Sequence, residues 1–371
     1  MATRVLDLFT ELCALPSPPG EERAVADRVL AELRALGLDT REDDTGPTIG
    51  SSAGNLHCRL PGGNGAGTPI FLCAHLDTVP PAGRIEPFVE DGVVRNAAGT
   101  ILGADNKASI AVMLEAARRI LRERRPHGGV ELLFTTKEEV GLLGAGAFDH
   151  AALEAQLGYV YDQAGPIGEV ILGAPSARAI EARFHGRAAH AGMAPEEGRS
   201  AIAAAARAIA DLRLGRIDQE SSANVGTITG GTARNIVPEW CRFEAEVRSH
   251  DERTLADLVQ EVLDAIGFAA TTSDCTVETQ VSEQYRAYRF RTDAPAVRLA
   301  ATALERCGYR PSFTLSGGAA DANVFNERGR ACVNLANGMA EIHSPGEHIA
   351  VADLEGMVEV TLALVAAAAE S

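Results

Sequence analysis

Ile70-Phe71-Leu72-Cys73-Ala74-His75-Leu76-Asp77 is an apolar run of strand length that ends in an imidazole and a carboxylate two residues apart. Side chains alternate along a strand, so His75 and Asp77 leave its end on one side. There an imidazole could take a metal ion while the carboxylate fixes its tautomer. A buried strand with a polar end explains this stretch equally well, and the rest of the chain decides between the two.

Directly downstream, Thr78-Val79-Pro80-Pro81-Ala82-Gly83 cannot continue a strand, because its prolines lack amide donors. A loop at the carboxyl end of a strand is where open α/β sheets place their sites. Asp105 then precedes a helix expected over 107–122, a position that an N-cap would also explain. A second apolar strand over 130–136 runs into Lys137-Glu138-Glu139. Adjacent carboxylates at a strand end point apart, so one can bind metal while the other stays free as a base; a solvated loop accounts for such a pair too. Tyr159-Val160-Tyr161-Asp162 repeats the pattern of an apolar strand ending in a carboxylate. Upstream, helices at 3–14 and 22–36 flank a proline-rich turn, and a loop over 61–67 leads into the opening strand.

Near residue 174 the texture changes to longer alternating strands. Cys241, Phe243, Ala245 and Val247 take one face of a strand, and Arg242, Glu244, Glu246 and Arg248 the other. With helices at about 199–214 and 251–266, the segment reads strand, helix, strand, strand, helix, strand, a small α+β domain of the split-βαβ type. From 291 the α/β alternation resumes. We therefore expect an α/β domain formed by 1–174 and 291–371 with a smaller domain, 175–290, inserted in it.

A chain of 371 residues with a formal charge of -17 has core enough for two domains and no basic stripe for nucleic acid or an anionic membrane. The start, 1–10, lacks a leader's apolar segment, and no run approaches the length of a membrane span, so the expected address is cytoplasmic. The seven cysteines are scattered without a CxxC pair and read as reduced core thiols.

Collected in order, His75, Asp77, Asp105, Glu138, Glu139, Asp162 and His343 supply imidazole and carboxylate donors sufficient for two divalent ions with one carboxylate bridging. Such donors suit zinc, with cobalt or manganese as alternatives. Paired ions serve amide hydrolysis.

HLDTVPP, GADNKAS, TTKEEVGLLGA, YVYDQAG, GRAAHAG, GGTARNIVPE and EIHSPGE, in this order from about residue 10 to the C-terminus, resemble the family of co-catalytic zinc aminoacylases, desuccinylases and carboxypeptidases, and most closely its peptidase T branch. The resemblance implies a mixed-sheet zinc-peptidase domain carrying a ferredoxin-like dimerisation domain. It implies two zinc ions per subunit, with His75 and Asp162 on one, Glu139 and His343 on the other, and Asp105 between them. Glu138 becomes the base, and Asp77 should touch only His75. His190 becomes a candidate oxyanion stabiliser acting across a homodimer, and Asn235 and Arg248 candidate contacts to a substrate carboxylate. A loop histidine, a turn asparagine and a solvated arginine are the plain alternatives. Where a Gly-Gly-(Ser/Thr)-Asp pattern is usual, Gly317-Gly318-Ala319-Ala320-Asp321 carries alanine, so Asp321 is a substrate contact or a helix cap. His348 competes with His343, and the HSPGE context favours His343. The implied activity is aminopeptidase action on short peptides; deacylation of N-acyl amino acids or carboxypeptidase action is the first rival, and a non-catalytic metal-stabilised binding protein the second.

Overall fold

The computed structural model describes residues 4–61 and 67–371; of the loop expected over 61–67, residues 62–66 lie outside it. The chain divides into two compact units, one of Met1–Gly173, Arg289–Ser316 and Ala320–Ser371, the other of Ala174–Tyr288 with Gly317–Ala319. The short Gly317–Ala319 piece thus groups with the second unit, whereas the sequence reading kept it in the first.

In the first unit a mixed sheet orders its strands Thr40–Glu42, Leu56–Leu60, Val130–Thr135, Ile70–His75, Leu157–Gln163, Ala331–Ala336 and Glu169–Ala174. The central four are parallel, and Leu56–Leu60 and Glu169–Ala174 meet them antiparallel. Every residue of Ile70–His75 and of Val130–Thr135 is buried, which is why both read as continuous apolar runs rather than as alternations. His75 pairs in register with Thr135, and Cys73 with Val160, so the chain beyond these strands emerges at one edge. Packing fixes this register tightly. The Phe71 ring lies against Phe325, centroids 4.8 Å apart, and a Cβ on Gly158 would stand 2.0 Å from Phe71, so only glycine fits beneath that ring. Arg4–Cys13, Ala104–Glu123, Pro295–Arg306 and Val351–Ala369 pack as a helical layer. Val351–Ala369 is apolar almost all round and largely buried, yet no helix among the described residues is long and apolar enough to cross a membrane.

The second unit is an antiparallel sheet ordered Gly215–Arg216, Ser221–Gly230, Trp240–Ser249, Ser176–His185 and Thr276–Tyr285, with helices Ala201–Asp211 and Glu252–Thr272. Leaving out the two-residue strand, the order is 4-1-3-2 in chain numbering, the ferredoxin-like arrangement. Ile180, Ala182, Phe184, Phe243, Ala245 and Val247 face the buried helix residues Ala204, Ala208, Leu255, Leu258, Val262 and Ile266. The helix expected to stop at 266 runs on to Thr272, because Ala269 and Ala270 extend its buried stripe by another turn.

Candidate metal centre

Five segments of the first unit deliver the cluster. His75 ends its strand fully buried; Nδ1 lies 2.9 Å from the backbone oxygen of Asp77 and Nε2 lies 3.2 Å from Asp105 Oδ1 and 3.8 Å from Asp162 Oδ1. With Nδ1–H donating to the Asp77 carbonyl, the neutral ring keeps its lone pair on Nε2, facing the acids. The Asp77 carboxylate does more than expected. Oδ1 stands 3.5 Å from His75 Nδ1, while Oδ1 and Oδ2 accept the backbone N–H groups of Glu138 and Glu139 at 3.0 and 3.2 Å. Asp77 therefore ties two strand ends together instead of touching His75 alone, because the parallel register brings the chain after Thr135 beside it.

Strand alternation does not set the directions of Glu138 and Glu139 as the sequence reading supposed. The strand ends at Thr135, and Lys137 takes a left-handed φ of 53°, turning the chain before either glutamate. Asn55 braces this turn, its Oδ1 accepting Thr136 N–H at 3.1 Å and its Nδ2 donating to the Gly144 carbonyl at 3.0 Å. A Cβ on Gly144 would stand 2.1 Å from the Thr136 oxygen, so the turn closes only around glycine.

Asp105 is no N-cap. Its carboxylate faces sideways, with Oδ1 toward His75 and Oδ2 3.2 Å from His343 Nε2, and both Asp105 and Asn106 have non-helical backbone angles. His343 Nε2 also lies 3.2 Å from Glu139 Oε1. His343 is the one open member, its side chain 47% exposed on a turn where it adopts φ 62°. Asn334 holds the Asp162 backbone from both sides, accepting its N–H at 2.9 Å and donating to its carbonyl at 2.8 Å. His348 is turned away, with Nδ1 2.8 Å from the Gly346 oxygen. His57, His127, His150, His185 and His250 join no metal-capable group among the described residues.

Three such groups form: His75, Asp105 and Asp162; Asp105, Glu139 and His343; and His75, Glu138 and Glu139. The first two share Asp105. Protonation states record the crowding. Burial would lower the His75 pKa, but bonds to Asp105, Asp162 and Asp77 carry it well above its ordinary value. Bonds to Asp105 and Glu139 raise His343 to about 10. Burial, followed by the Asp105 charge, pushes Asp162 up to about 7, and burial with the Asp162 charge lifts Glu138 well above the carboxylate range. Two imidazoles do not offset so many carboxylates, and the buried Glu139 Oε1 meets the His343 ring at 3.2 Å outside hydrogen-bond geometry. Oxygen and imidazole donors without thiolate, gathered in two groups that share Asp105, fit zinc, cobalt or manganese.

Asp321 is buried and bonds Thr135 Oγ1 and Cys73 Sγ through Oδ2, leaving Oδ1 unpartnered. The cap position belongs to Ala320, so the helix-cap alternative for Asp321 does not hold.

Within the second unit, His190 is exposed on a turn and its Nδ1 accepts N–H from Gly192 and Met193 at 3.2 and 3.1 Å, which places the proton of the neutral ring on Nε2. Asn235 is joined to it through the backbone, Ala191 N–H donating to the Asn235 carbonyl at 3.0 Å. Arg248 is half-buried rather than freely solvated, and Nε and Nη2 grip both oxygens of Glu246 at 3.0 Å.

The sequence pattern of Peptidase family M20/M25/M40 matches residues 71–367. The crystal structure of aminopeptidase PepT from Bacillus cereus ATCC 10987 is 38% identical, with a TM-score of 0.86 over 99% of this chain and 98% of that one. A tripeptidase from Staphylococcus aureus subsp. aureus mu50 is 33% identical, with a TM-score of 0.92 over the same shares. The Bacillus subtilis YXEP protein, described as a dinuclear metal binding peptidase, shares the fold at 17% identity and a TM-score of 0.73, over 98% of this chain and 97% of that one.

Proposed function

Because the chain belongs to peptidase family M20/M25/M40 and is a hydrolase acting on peptide bonds, we propose that it removes the N-terminal residue from short peptides using two divalent ions. The observation that carries this reading is the pair of donor groups meeting at Asp105. His75 and Asp162 would hold one ion and Glu139 and His343 the other, with Asp105 common to the two groups, and zinc would suit these donors best. Such a pair of ions lowers the pKa of a shared water and polarises a carbonyl.

Glu138 is the group left over, buried beside both sets. It takes the proton of the attacking water as the water oxygen bonds to the peptide carbonyl carbon. It then hands that proton to the amine nitrogen as the C–N bond breaks. Asp77 keeps the His75 lone pair turned inward. His190, with Nε2–H outward, is suited to donate to the developing oxyanion, and Arg248 and Asn235 to hold the substrate carboxylate. Asp321 stays with the substrate side of the site through the strand ends it braces. A homodimer through the second unit is part of the reading: from Asn224 to Gly230 the outer edge of its strand has no partner strand among the described residues, and Ile228, Ile202 and Trp240 are exposed. Free cysteines throughout suit a reducing cytoplasm.

Likeness over nearly the whole chain to an aminopeptidase and a tripeptidase favours this substrate class over the deacylase or carboxypeptidase alternative. The test compares a free tripeptide with its N-acetyl form on the metal-loaded protein. Cleavage of the free peptide alone is expected, and cleavage of only the blocked peptide would replace this reading with deacylation. Inactivity on peptides and acyl amino acids alike would leave a metal-stabilised binding protein.

A further inference from the structure

Glu347 lies four residues beyond His343, 2% exposed, and none of the roles above uses it. Its Oε2 accepts the backbone N–H groups of Leu102 and Gly103, both at 2.8 Å, and its Oε1 accepts that of Asp105 at 3.0 Å. Three amides of the turn that carries Asp105 thus converge on one carboxylate from a different segment. Gly103 makes the convergence feasible with φ 76°. The buried Lys107 ammonium, held by the Leu15 carbonyl, lies within electrostatic reach and offsets the buried negative charge.

The segment that carries Glu347 is itself closed. Ala340 and His348 exchange backbone hydrogen bonds at its base, 3.0 and 3.1 Å, and Glu347 N–H donates to the Ser344 carbonyl at 3.1 Å. His343 stands at the tip. From these contacts we infer that Glu347 is the positioning residue that fixes the His343 turn against the Asp105 turn, and so sets the Asp105, Glu139 and His343 group for its ion.

The physical reason is selective. That group takes two of its three donors from the turns Glu347 joins, whereas the His75, Asp105 and Asp162 group takes one, its other two riding on strands locked in the sheet. Removing the clamp loosens one ion more than the other. Glu347→Gln is the sharpest variant: it keeps the size but turns an amide NH2 group against backbone donors that need an acceptor.

This inference rests on the two-ion reading, and the experiment separates the two. Metal-free protein is titrated with Co2+ against a chromophoric chelator, and the visible spectrum counts the ions. Wild type is expected to bind two equivalents tightly. Glu347→Gln should hold the first with near wild-type affinity and the second about 10–100-fold more weakly, the size of effect that supporting partners of a ligand exert. Its kcat should fall at least about tenfold at fixed cobalt and recover on raising cobalt, with KM little changed; a merely structural role would not give recovery. Two equivalents bound by the variant with wild-type affinity would overturn the inference alone. Fewer than two bound by wild type would overturn the two-ion reading and this inference with it. Should the variant fail to fold, hydrogen exchange on wild type decides: slow exchange at Leu102, Gly103 and Asp105 in the metal-free protein supports the clamp, and fast exchange at all three removes it.

Discussion

The two regions that serve the proposed reaction are built in opposite ways. In the first unit most of the polar groups are buried at strand ends and bonded to partners from distant segments, such as Asp77 to the amides of Glu138 and Glu139. In the second, His190 and Asn235 are exposed, and the half-buried Arg248 counts Glu246, two residues away, among its partners. Long-range bonds in a low-dielectric interior make geometry costly to change. Short-range bonds on a surface can be exchanged for bonds to a ligand. The contrast teaches where rigidity is needed: charges proposed to share an ion require fixed distances, while groups proposed to read a peptide must be able to let go of their own partners.

This contrast breaks most visibly at Glu138. Glu138→Gln should keep its metal content and lose about 10²–10⁴-fold in kcat; steady-state kinetics beside elemental analysis checks this, and an active variant would return Glu138 to the scaffold. Next, His190→Ala should lower kcat about 10²-fold, the scale for an oxyanion donor, with metal content and thermal midpoint unchanged. Loss of metal in that variant would erase the separation between the regions. Asp77→Asn should weaken metal binding about 10–100-fold and also destabilise the fold by about 1–3 kcal/mol, since its amide group meets backbone donors; denaturant titration of the metal-free protein isolates the second effect. Arg248→Lys loses the fork and should raise KM about tenfold with kcat nearly intact.

The smallest effect on activity belongs to Glu131, which is buried under His57 and Arg59 away from the centre. Burial works to raise its pKa, but bonds from His57, the backbone N–H groups of Ala155 and Glu154, and Arg59 bring it down to about 2. A depressed carboxylate stabilises the fold above its ordinary pKa, and the stabilisation fades as pH falls from about 4.5 toward 2. Glu131→Gln should therefore keep kcat, lose about 2–3 kcal/mol at neutral pH, and converge with wild type in strong acid. An acid limb identical in both proteins would show that Glu131 does not carry it.

Much of the first region was legible because strand ends announce themselves: an apolar run broken by His or Asp marks both the element and the polar group it delivers. What escaped the sequence was whatever depends on contact between distant segments. Asn55 and Glu347 brace turns, and Asn334 a strand end, far away in the chain, and an isolated Asn or Glu carries no signal of its distant partner. Lys137 was misread because a left-handed residue other than glycine leaves no trace in a hydrophobic pattern. In the second region Cys241 to Val247 alternated as expected, and the structure buries that face. The grip of Glu246 on Arg248 lay in plain view at spacing two, but nothing in composition separates a paired arginine from a solvated one.

The parallel register of Ile70–His75 with Val130–Thr135 and Leu157–Gln163 also bears on how such a chain can diverge. Deleting one residue within any of these strands would exchange its faces and pull a donor out of the cluster, so length changes there are lethal to the centre. Connections that carry neither a donor nor a bracing contact are under no such restriction. Insertions can accumulate in a segment such as 78–100 without moving His75 or Asp162, and relatives can remodel what surrounds the reactive groups while inheriting the groups unchanged.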